Sequence, residues 1–223
     1  MALKWSWKPV KLVVICIAAA LMNIILSNFF KDLLGLPLYL DTVFSAAVAF
    51  AAGLIPGIAV AILNWLIASI YYNDFHLYVL CVIAEVVLIC ALKPAAPAFS
   101  DFAPRERIIA SYTGIAAKLL LLYILCAITI SVLGGIINYV SDVYLGIHLQ
   151  FYSVEDTFKL GLIMNNLPDL AVNIFSRIQV NIVDRFIVIF GGYFISRGLG
   201  AILAYKEIDK NPTNLPAGTG GRH

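Results

Sequence analysis

Charged side chains are scarce in this sequence of 223 residues: aspartate, glutamate, lysine and arginine together make up 13%. A soluble domain carries about 25% charged residues and about 45–50% apolar ones, whereas 62% of the residues here are hydrophobic. A soluble fold of this length cannot bury so much apolar surface, so the sequence predicts a protein whose solvent is lipid. The net charge of +2 is too small to indicate a nucleic-acid partner, and no basic patch interleaved with aromatics is present.

The sequence also lacks the motifs of common catalytic and metal sites. It contains no Walker A loop, no HExxH, no GxSxG and no cluster of histidines and cysteines. The four cysteines lie singly in apolar runs without CxxC or CxxH spacing, which favours small core residues over a metal site or a disulfide framework. We therefore predict no metal, no cofactor and no ATP hydrolysis by the chain itself.

Six apolar segments, separated by charged or turn-forming residues, predict six transmembrane helices. They run at about 10–30, 38–53, 56–72, 75–92, 108–139 and 180–203, and a helix needs about 20 apolar residues to cross the hydrocarbon core. The first segment mimics a signal peptide, but no small-x-small site with a hydrophilic continuation follows it, so we expect it to be retained. The predicted fold class is all-α: a polytopic membrane protein with a six-helix transmembrane domain over residues 1–205 and a disordered cytoplasmic tail over 206–223.

The segment from Ser141 to Gln179 is ambiguous because charged residues interrupt its apolar pattern. Asn165-Asn166 and Pro168-Asp169 break the helical spacing of its second half, which favours an amphipathic helix in the membrane interface over a seventh crossing. The basic residues support six crossings, because an even number puts most lysines and arginines on the side that holds both termini. We therefore expect a multi-pass protein of the cell membrane, typical of a bacterial inner membrane, with both termini in the cytoplasm.

Three polar residues fall inside apolar segments, where a charge is costly and is therefore a functional candidate. Glu85 lies in the middle of the fourth segment, and Lys118 lies about 15 Å into the fifth at 1.5 Å per residue. Both are thus expected near the midplane, where opposite charges on consecutive helices suggest an ion pair, and Asn64 lies at a similar depth. Two interpretations stay open: a polar pocket or relay, or a buried structural pair that fixes helix packing.

A second polar cluster is expected near the outer face, where predicted helices begin or end. It includes Asp41, Asn138, Asn165, Asp184 and Arg185, with Tyr72 at the same level. These residues also have structural interpretations, since tyrosines form belts at membrane interfaces and an aspartate before an apolar helix is a typical N-cap.

Several of these residues belong to a pattern that resembles a known family. Leu36-Pro-Leu-Tyr-Leu-Asp41-Thr42, then Gly53-Leu-Ile-Pro56-Gly57, then Asn64 are similar to the substrate-binding S components of energy-coupling factor (ECF) transporters. In that family a P-x-x-L-D-T-like start opens a short second helix, a glycine-containing turn follows, and the third helix carries an asparagine. The family's last helix often opens with an acid followed by a base, as Asp184-Arg185 does here.

The resemblance implies capture of a vitamin-like small molecule from outside the cell. The implied partners are the coupling membrane subunit and the ATPase subunits of an ECF transporter, which supply the energy. Substrate would sit toward the outer face, and the pocket candidates are Asp41, Asn64, Tyr72, Glu85, Lys118, Asn138 and Asn165. The family's first helix packs on the coupling subunit through an A-x-x-x-A motif, so Cys16 and Ala20, which stand at that spacing, are the candidates for a partner interface.

Two other classes of function stay open. The chain can be a ligand-sensing or scaffold module that reports to a partner without transport, because a related membrane module occurs in some bacterial sensor kinases. An intramembrane enzyme using Glu85 and Asp184 is the weakest interpretation, since a carboxylate without a nucleophile or metal set makes poor chemistry.

Overall fold

The computed structural model describes residues 7–34, 38–72, 77–95, 105–144 and 154–208, and helices account for most of them. The helices are α1 (Trp7–Asn28), α2 (Val43–Ala52), α3 (Leu54–Tyr72), α4 (Val79–Leu92), α5 (Arg105–Tyr144), α6 (Val154–Met164) and α7 (Asp169–Ile208), and a π-helical turn (Phe29–Leu33) extends α1. No strand occurs in these ranges, so the all-α class is confirmed. The predicted tail at 206–223 lies outside the described residues except for 206–208, which end α7.

Four of the helices are long and apolar enough to cross a membrane. The qualifying stretches are Pro9–Lys31, Leu54–Tyr72, Ile109–Ser141 and Asp169–Gly200. The predicted second and fourth segments also form helices, but α2 has 10 residues and α4 has 14. Each is shorter than the roughly 20 residues of a complete helical crossing. The fold therefore combines four long apolar helices with two short ones, as expected of a membrane protein.

The ambiguous segment after α5 contains the start of the last long helix. The 11-residue α6 ends in a turn, where Asn166 has a φ of 57°, and the Val172 amide then donates to the Pro168 carbonyl at 3.0 Å. From Asp169 the chain is continuously helical, so the predicted start of the last helix near Val180 is wrong by about three turns. The asparagines and Pro168 mark the break correctly, but the polar residues after them lie on the last long helix and not on a separate interfacial helix.

The short helix α2 lies at the centre of the fold, with most of its side chains buried. The buried members are Val43, Ser45, Ala46, Ala47, Val48, Ala49 and Phe50. Small side chains let neighbouring helices approach α2 closely: a Cβ on Gly192 of α7 would come within 2.9 Å of the Ala46 Cβ. Small residues thus allow close helix approach inside the chain. Gly53, with a φ of 95°, provides the left-handed turn that directs α3 back against α2.

Polar side chains from other helices satisfy the non-helical backbone that leads into α2. Leu40 is buried with a φ of 43°, and its amide donates to Asp184 Oδ1 at 2.9 Å. The Phe44 amide donates to Asn23 Oδ1 at 2.8 Å, and the Asp41 carbonyl accepts from Asn64 Nδ2 at 3.2 Å. Asn23 on α1 therefore caps α2 from outside, whereas the N-cap residue Thr42 makes no side-chain cap bond.

Candidate functional site

A cavity of about 330 Å³ opens beside the N-terminal end of α2. Its walls come from the last turns of α1, the segment before α2, one face of α3 and the first turn of α4. The lining residues are Ile24, Ser27, Asn28, Lys31, Tyr39, Asp41, Ala61, Asn64, Trp65, Ala68, Tyr72, Tyr78, Val79 and Val82. Three of the seven predicted pocket residues, Asp41, Asn64 and Tyr72, therefore lie at one site. The volume is within the range of about 300–1,000 Å³ typical of small-molecule sites.

Asn64 gives the cavity an unused hydrogen-bond acceptor. Its side chain is buried, its Nδ2 donates to the Asp41 carbonyl, and its Oδ1 has no hydrogen-bond partner among the described residues. A buried polar atom without a partner costs about 1–3 kcal/mol. A ligand that donates a hydrogen bond to Oδ1 would recover this free energy.

Aromatic rings and opposite charges line the same cavity as Asn64. Tyr39, Trp65 and Tyr78 contribute ring surface, while Lys31 and Asp41 contribute a cation and a carboxylate. The wall is also internally fixed, because the Tyr72 hydroxyl donates to Asn28 Oδ1 and so joins α3 to α1. The site combines stacking surface with a few polar groups, which is the usual composition of a small-molecule site.

A buried charge cluster lies behind the cavity wall. Arg185 Nη1 donates to Glu85 Oε2 at 2.7 Å and to Thr42 Oγ1 at 3.0 Å, and Arg185 Nη2 donates to Asp184. All four residues are buried. Because Thr42 follows Asp41 directly, the cluster is connected through the backbone to the cavity.

The predicted ion pair between Glu85 and Lys118 is wrong, because the cation that faces Glu85 is Arg185. Lys118 is exposed on α5 and lines a different cavity, at the other end of α2. Depth along each helix was estimated from residue counts, but the direction in which a side chain points around its helix decides whether two side chains meet. Glu85 accordingly belongs to the structural cluster behind the wall and does not line the cavity.

Asn138 is connected to the cavity only indirectly. Arg177 Nη2 donates to Asn138 Oδ1 at 3.2 Å and to the Tyr78 hydroxyl at 2.6 Å, and the Arg177 guanidinium lies 4.5 Å from the centre of the Tyr78 ring. Arg177 thus holds Tyr78, which lines the cavity, in position. Asn165 is exposed in the turn after α6, where its Nδ2 donates to the Gly161 carbonyl at 2.8 Å, and it does not line the cavity.

The predicted partner interface on α1 is used inside the chain. Cys16 and Ala20 are buried and pack with Val48 and Val60 of α2 and α3. The exposed face of α1 instead carries larger side chains, including Val14 and Ile17. Cys16 and Ala20 are therefore not available to a partner subunit, because the chain's own helices already occupy this small-residue stripe.

Several cavity residues were not among the predicted pocket residues, although helical spacing identifies them. On α1 the lining residues Ile24, Ser27, Asn28 and Lys31 follow the i, i+3, i+4, i+7 pattern of one helix face. On α3, Ala61, Asn64, Trp65 and Ala68 follow the same spacing, and Tyr72 lies four residues beyond Ala68. The helical spacing is visible in the sequence. However, apolar and small residues in a membrane helix do not by themselves indicate which face lines a cavity.

Comparison with models of protein families, with curated proteins and with solved structures finds no match to this chain. Within the described residues, no group of three or more histidine, cysteine, aspartate or glutamate side chains is placed to hold a metal ion.

Proposed function

We propose that this chain is the membrane-embedded binding subunit of an ATP-driven uptake system, and that it captures a vitamin-like small molecule in the cavity between α1, α3 and α4. The observation that carries this proposal is the buried Asn64 Oδ1, which has no partner among the described residues and belongs to a residue that lines an aromatic cavity of about 330 Å³. The resemblance of the segments around Asp41, Gly53 and Asn64 to ECF S components supports the same function. A coupling membrane subunit and ATPase subunits would supply the energy.

The polar residues of α5 and α7 lie at two levels, and the spacing between these levels supports six crossings of the membrane. Lys118 and Asn138 on α5 are 20 residues apart, as are Arg177 and Arg197 on α7, and 20 residues of helix rise about 30 Å. Arg177 bonds Asn138, while Lys118 and Arg197 line a common cavity, so the two helices carry their polar residues at matching levels. This interval equals the thickness of the hydrocarbon core, about 30 Å. In this arrangement Lys118 lies at the membrane boundary and not at the midplane.

The two short helices complete their crossings with adjoining non-helical residues. Residues 38–42 extend α2, and Lys93–Ala95 extend α4. Non-helical backbone is tolerated at membrane depth only where its polar groups are satisfied inside the protein, and Asp184, Asn64 and Asn23 do this for the entry to α2. The end that carries Lys93, Lys118 and Arg197 is cytoplasmic by the distribution of basic residues. The ligand cavity then faces outward, with both termini in the cytoplasm.

The cavity lining favours a ligand with a planar ring and hydrogen-bond donors. Trp65, Tyr39 and Tyr78 offer stacking surface, the Asn64 Oδ1 accepts a hydrogen bond, and Lys31 and Asp41 suit a zwitterion or a pair of polar groups. Such a molecule buries its ring and directs its polar groups to a few fixed partners.

The test is identification of a small molecule that co-purifies with the chain. The wild type and an Asn64→Leu variant are purified in detergent, denatured, and their extracts are compared by mass spectrometry. We expect a compound enriched in the wild type and reduced at least about ten-fold in Asn64→Leu, a factor that corresponds to about 1.4 kcal/mol. Asn165→Leu is the matched control, because Asn165 lies outside the cavity, and it should retain the compound. Equal retention in both variants, or no bound compound in the wild type, would overturn the proposal.

The second candidate function is ligand sensing without transport. The backbone connection from Asp41 through Thr42 to the buried charge cluster favours it. A ligand at the cavity wall can bias the packing of α7 through this path. Co-expression with candidate coupling and ATPase subunits distinguishes the two functions. Ligand-dependent ATP hydrolysis by the assembled complex supports transport, whereas ligand binding without assembly supports sensing.

A further inference from the structure

A second cavity, of about 800 Å³, lies at the opposite ends of α2 and α4 from the ligand cavity. Its walls come from the end of α2, the residues that follow α4, the first half of α5 and the second half of α7. Among the described residues that line it, three are basic and none is acidic: Lys93, Lys118 and Arg197. The proposed transport function uses none of these three side chains.

The three basic side chains leave this cavity with an excess of positive charge. All three are exposed, and within the described ranges none of their side chains forms an ion pair or a hydrogen bond. Both α2 and α4 end here, and each helix C-terminus is equivalent to about half a negative charge. Among the described residues, about two positive charges therefore remain after the helix dipoles are counted. The basic side chains therefore carry more positive charge than the two helix C-termini can balance. The remaining positive charge would attract an anion.

Apolar and aromatic surface accompanies these charges. Phe50 is buried and meets Tyr193 edge to face, with ring centres 5.6 Å apart. Beside the basic residues, Leu121 on α5 and Phe194 on α7 are exposed, the latter at 69%. A small inorganic anion makes no use of such surface. An amphiphile contacts the basic side chains through its anionic head and the apolar surface through its hydrocarbon chains.

The level of the cavity also matches a lipid headgroup. Lys118 and Arg197 mark one end of the 30 Å polar interval described above, which is the boundary between hydrocarbon and headgroups. Basic pockets between transmembrane helices on the cytoplasmic side are suited to anionic lipid heads. We propose that this cavity binds the phosphate headgroup of an anionic phospholipid, with the acyl chains along the exposed apolar side chains of α5 and α7. The proposal rests on the proposed membrane orientation, but it does not depend on ligand binding in the other cavity.

The experiment measures lipid binding to the purified full chain by native mass spectrometry. The chain in detergent is titrated with phosphatidylglycerol and, separately, with phosphatidylcholine, and the phosphatidylglycerol titration is repeated with Lys118→Gln and Arg197→Gln. We expect phosphatidylglycerol to bind more tightly, and each substitution to weaken it roughly five-fold, the factor equivalent to about 1 kcal/mol per basic residue at a membrane surface. Lys11→Gln is the matched control, since Lys11 is a basic residue outside this cavity.

Several results would overturn the proposed binding of an anionic lipid. Equal binding of both lipids, or unchanged phosphatidylglycerol binding in both cavity variants, would overturn the proposal. Inorganic phosphate tests the other source of the same chemistry. If it displaces phosphatidylglycerol at comparable concentration and responds to the same substitutions, the site takes free phosphate and the lipid proposal fails. Monodisperse elution of each variant on size exclusion shows that the substitutions act on binding and not on folding.

Discussion

Replacing Arg185 by methionine tests the buried charge cluster most severely. Arg185 is 4% exposed and bonds Glu85, Asp184 and Thr42, so Arg185→Met leaves two buried carboxyl groups without their cation. Removing one partner of a buried ion pair costs about 3–5 kcal/mol. At about 2–4 °C per kcal/mol for a chain of this size, the midpoint of thermal unfolding in detergent should fall by roughly 6–20 °C. Arg197→Met, an exposed position on the same helix, is the matched control and should change stability by less than about 0.5 kcal/mol.

A double-mutant cycle identifies the partner of Glu85. Glu85→Gln removes one of the two buried acids, so it should reduce the cost of Arg185→Met by at least about 1 kcal/mol, within the range for residues in contact. Glu85→Gln combined with Lys118→Met should be additive within about 0.5 kcal/mol, since the two side chains do not meet. The measurement is the loss of monodisperse protein on heating. Additivity of Glu85→Gln with Arg185→Met, or coupling of Glu85→Gln with Lys118→Met, would contradict the assignment of Arg185 as the partner of Glu85.

Two further predictions concern helix packing. A Cβ on Gly135 would meet the α7 backbone at 2.7 Å, so Gly135→Ala should lower stability by about 1–3 kcal/mol. Gly114→Ala, on the same helix with nothing within 4 Å, should not be destabilising. Asn23→Leu should cost about 1–3 kcal/mol, because it leaves the Phe44 amide without its acceptor, whereas Met22→Leu, on the exposed face of α1, should be near neutral. Equal thermal stability of Gly135→Ala and Gly114→Ala would contradict a tight contact at Gly135. Equal stability of Asn23→Leu and Met22→Leu would contradict the capping of α2 by Asn23.

The helices were largely predictable because long apolar runs with charged boundaries leave few alternatives. The segments that became α1, α3 and α5 were located within a few residues. The start of α7 was not, because Arg177 and the neighbouring asparagines suggested a polar surface. In the structure Arg177 bonds Asn138 and Tyr78, and both partners come from other helices. A polar residue on a membrane helix is compatible with an interface or with a buried network, and only its partners decide between them.

Part of the candidate site was predictable for a different reason. Asp41 and Asn64 lie nearly equal numbers of residues from the tight turn at Gly53 that joins α2 and α3, so their proximity follows from a short connection, and Tyr72 lies on the same face of α3 about two turns beyond Asn64. The partner of Glu85 lies 100 residues away in the sequence. Residue counting estimates depth along a helix, but it cannot specify which face of α7 turns toward α4. The left-handed Leu40, held by Asp184, depends on the same long-range contact.

Ligand binding in the cavity between α1, α3 and α4 is measured by the fluorescence of Trp65 during titration with the co-purified compound. The chain has three tryptophans, at positions 5, 7 and 65, so replacing Trp5 and Trp7 by phenylalanine leaves Trp65, in the cavity wall, as the sole reporter. We expect a saturable change in Trp65 emission that is abolished when Asn64→Leu is added. An unchanged spectrum, or the same titration curve with and without Asn64→Leu, would contradict a ligand site in this cavity.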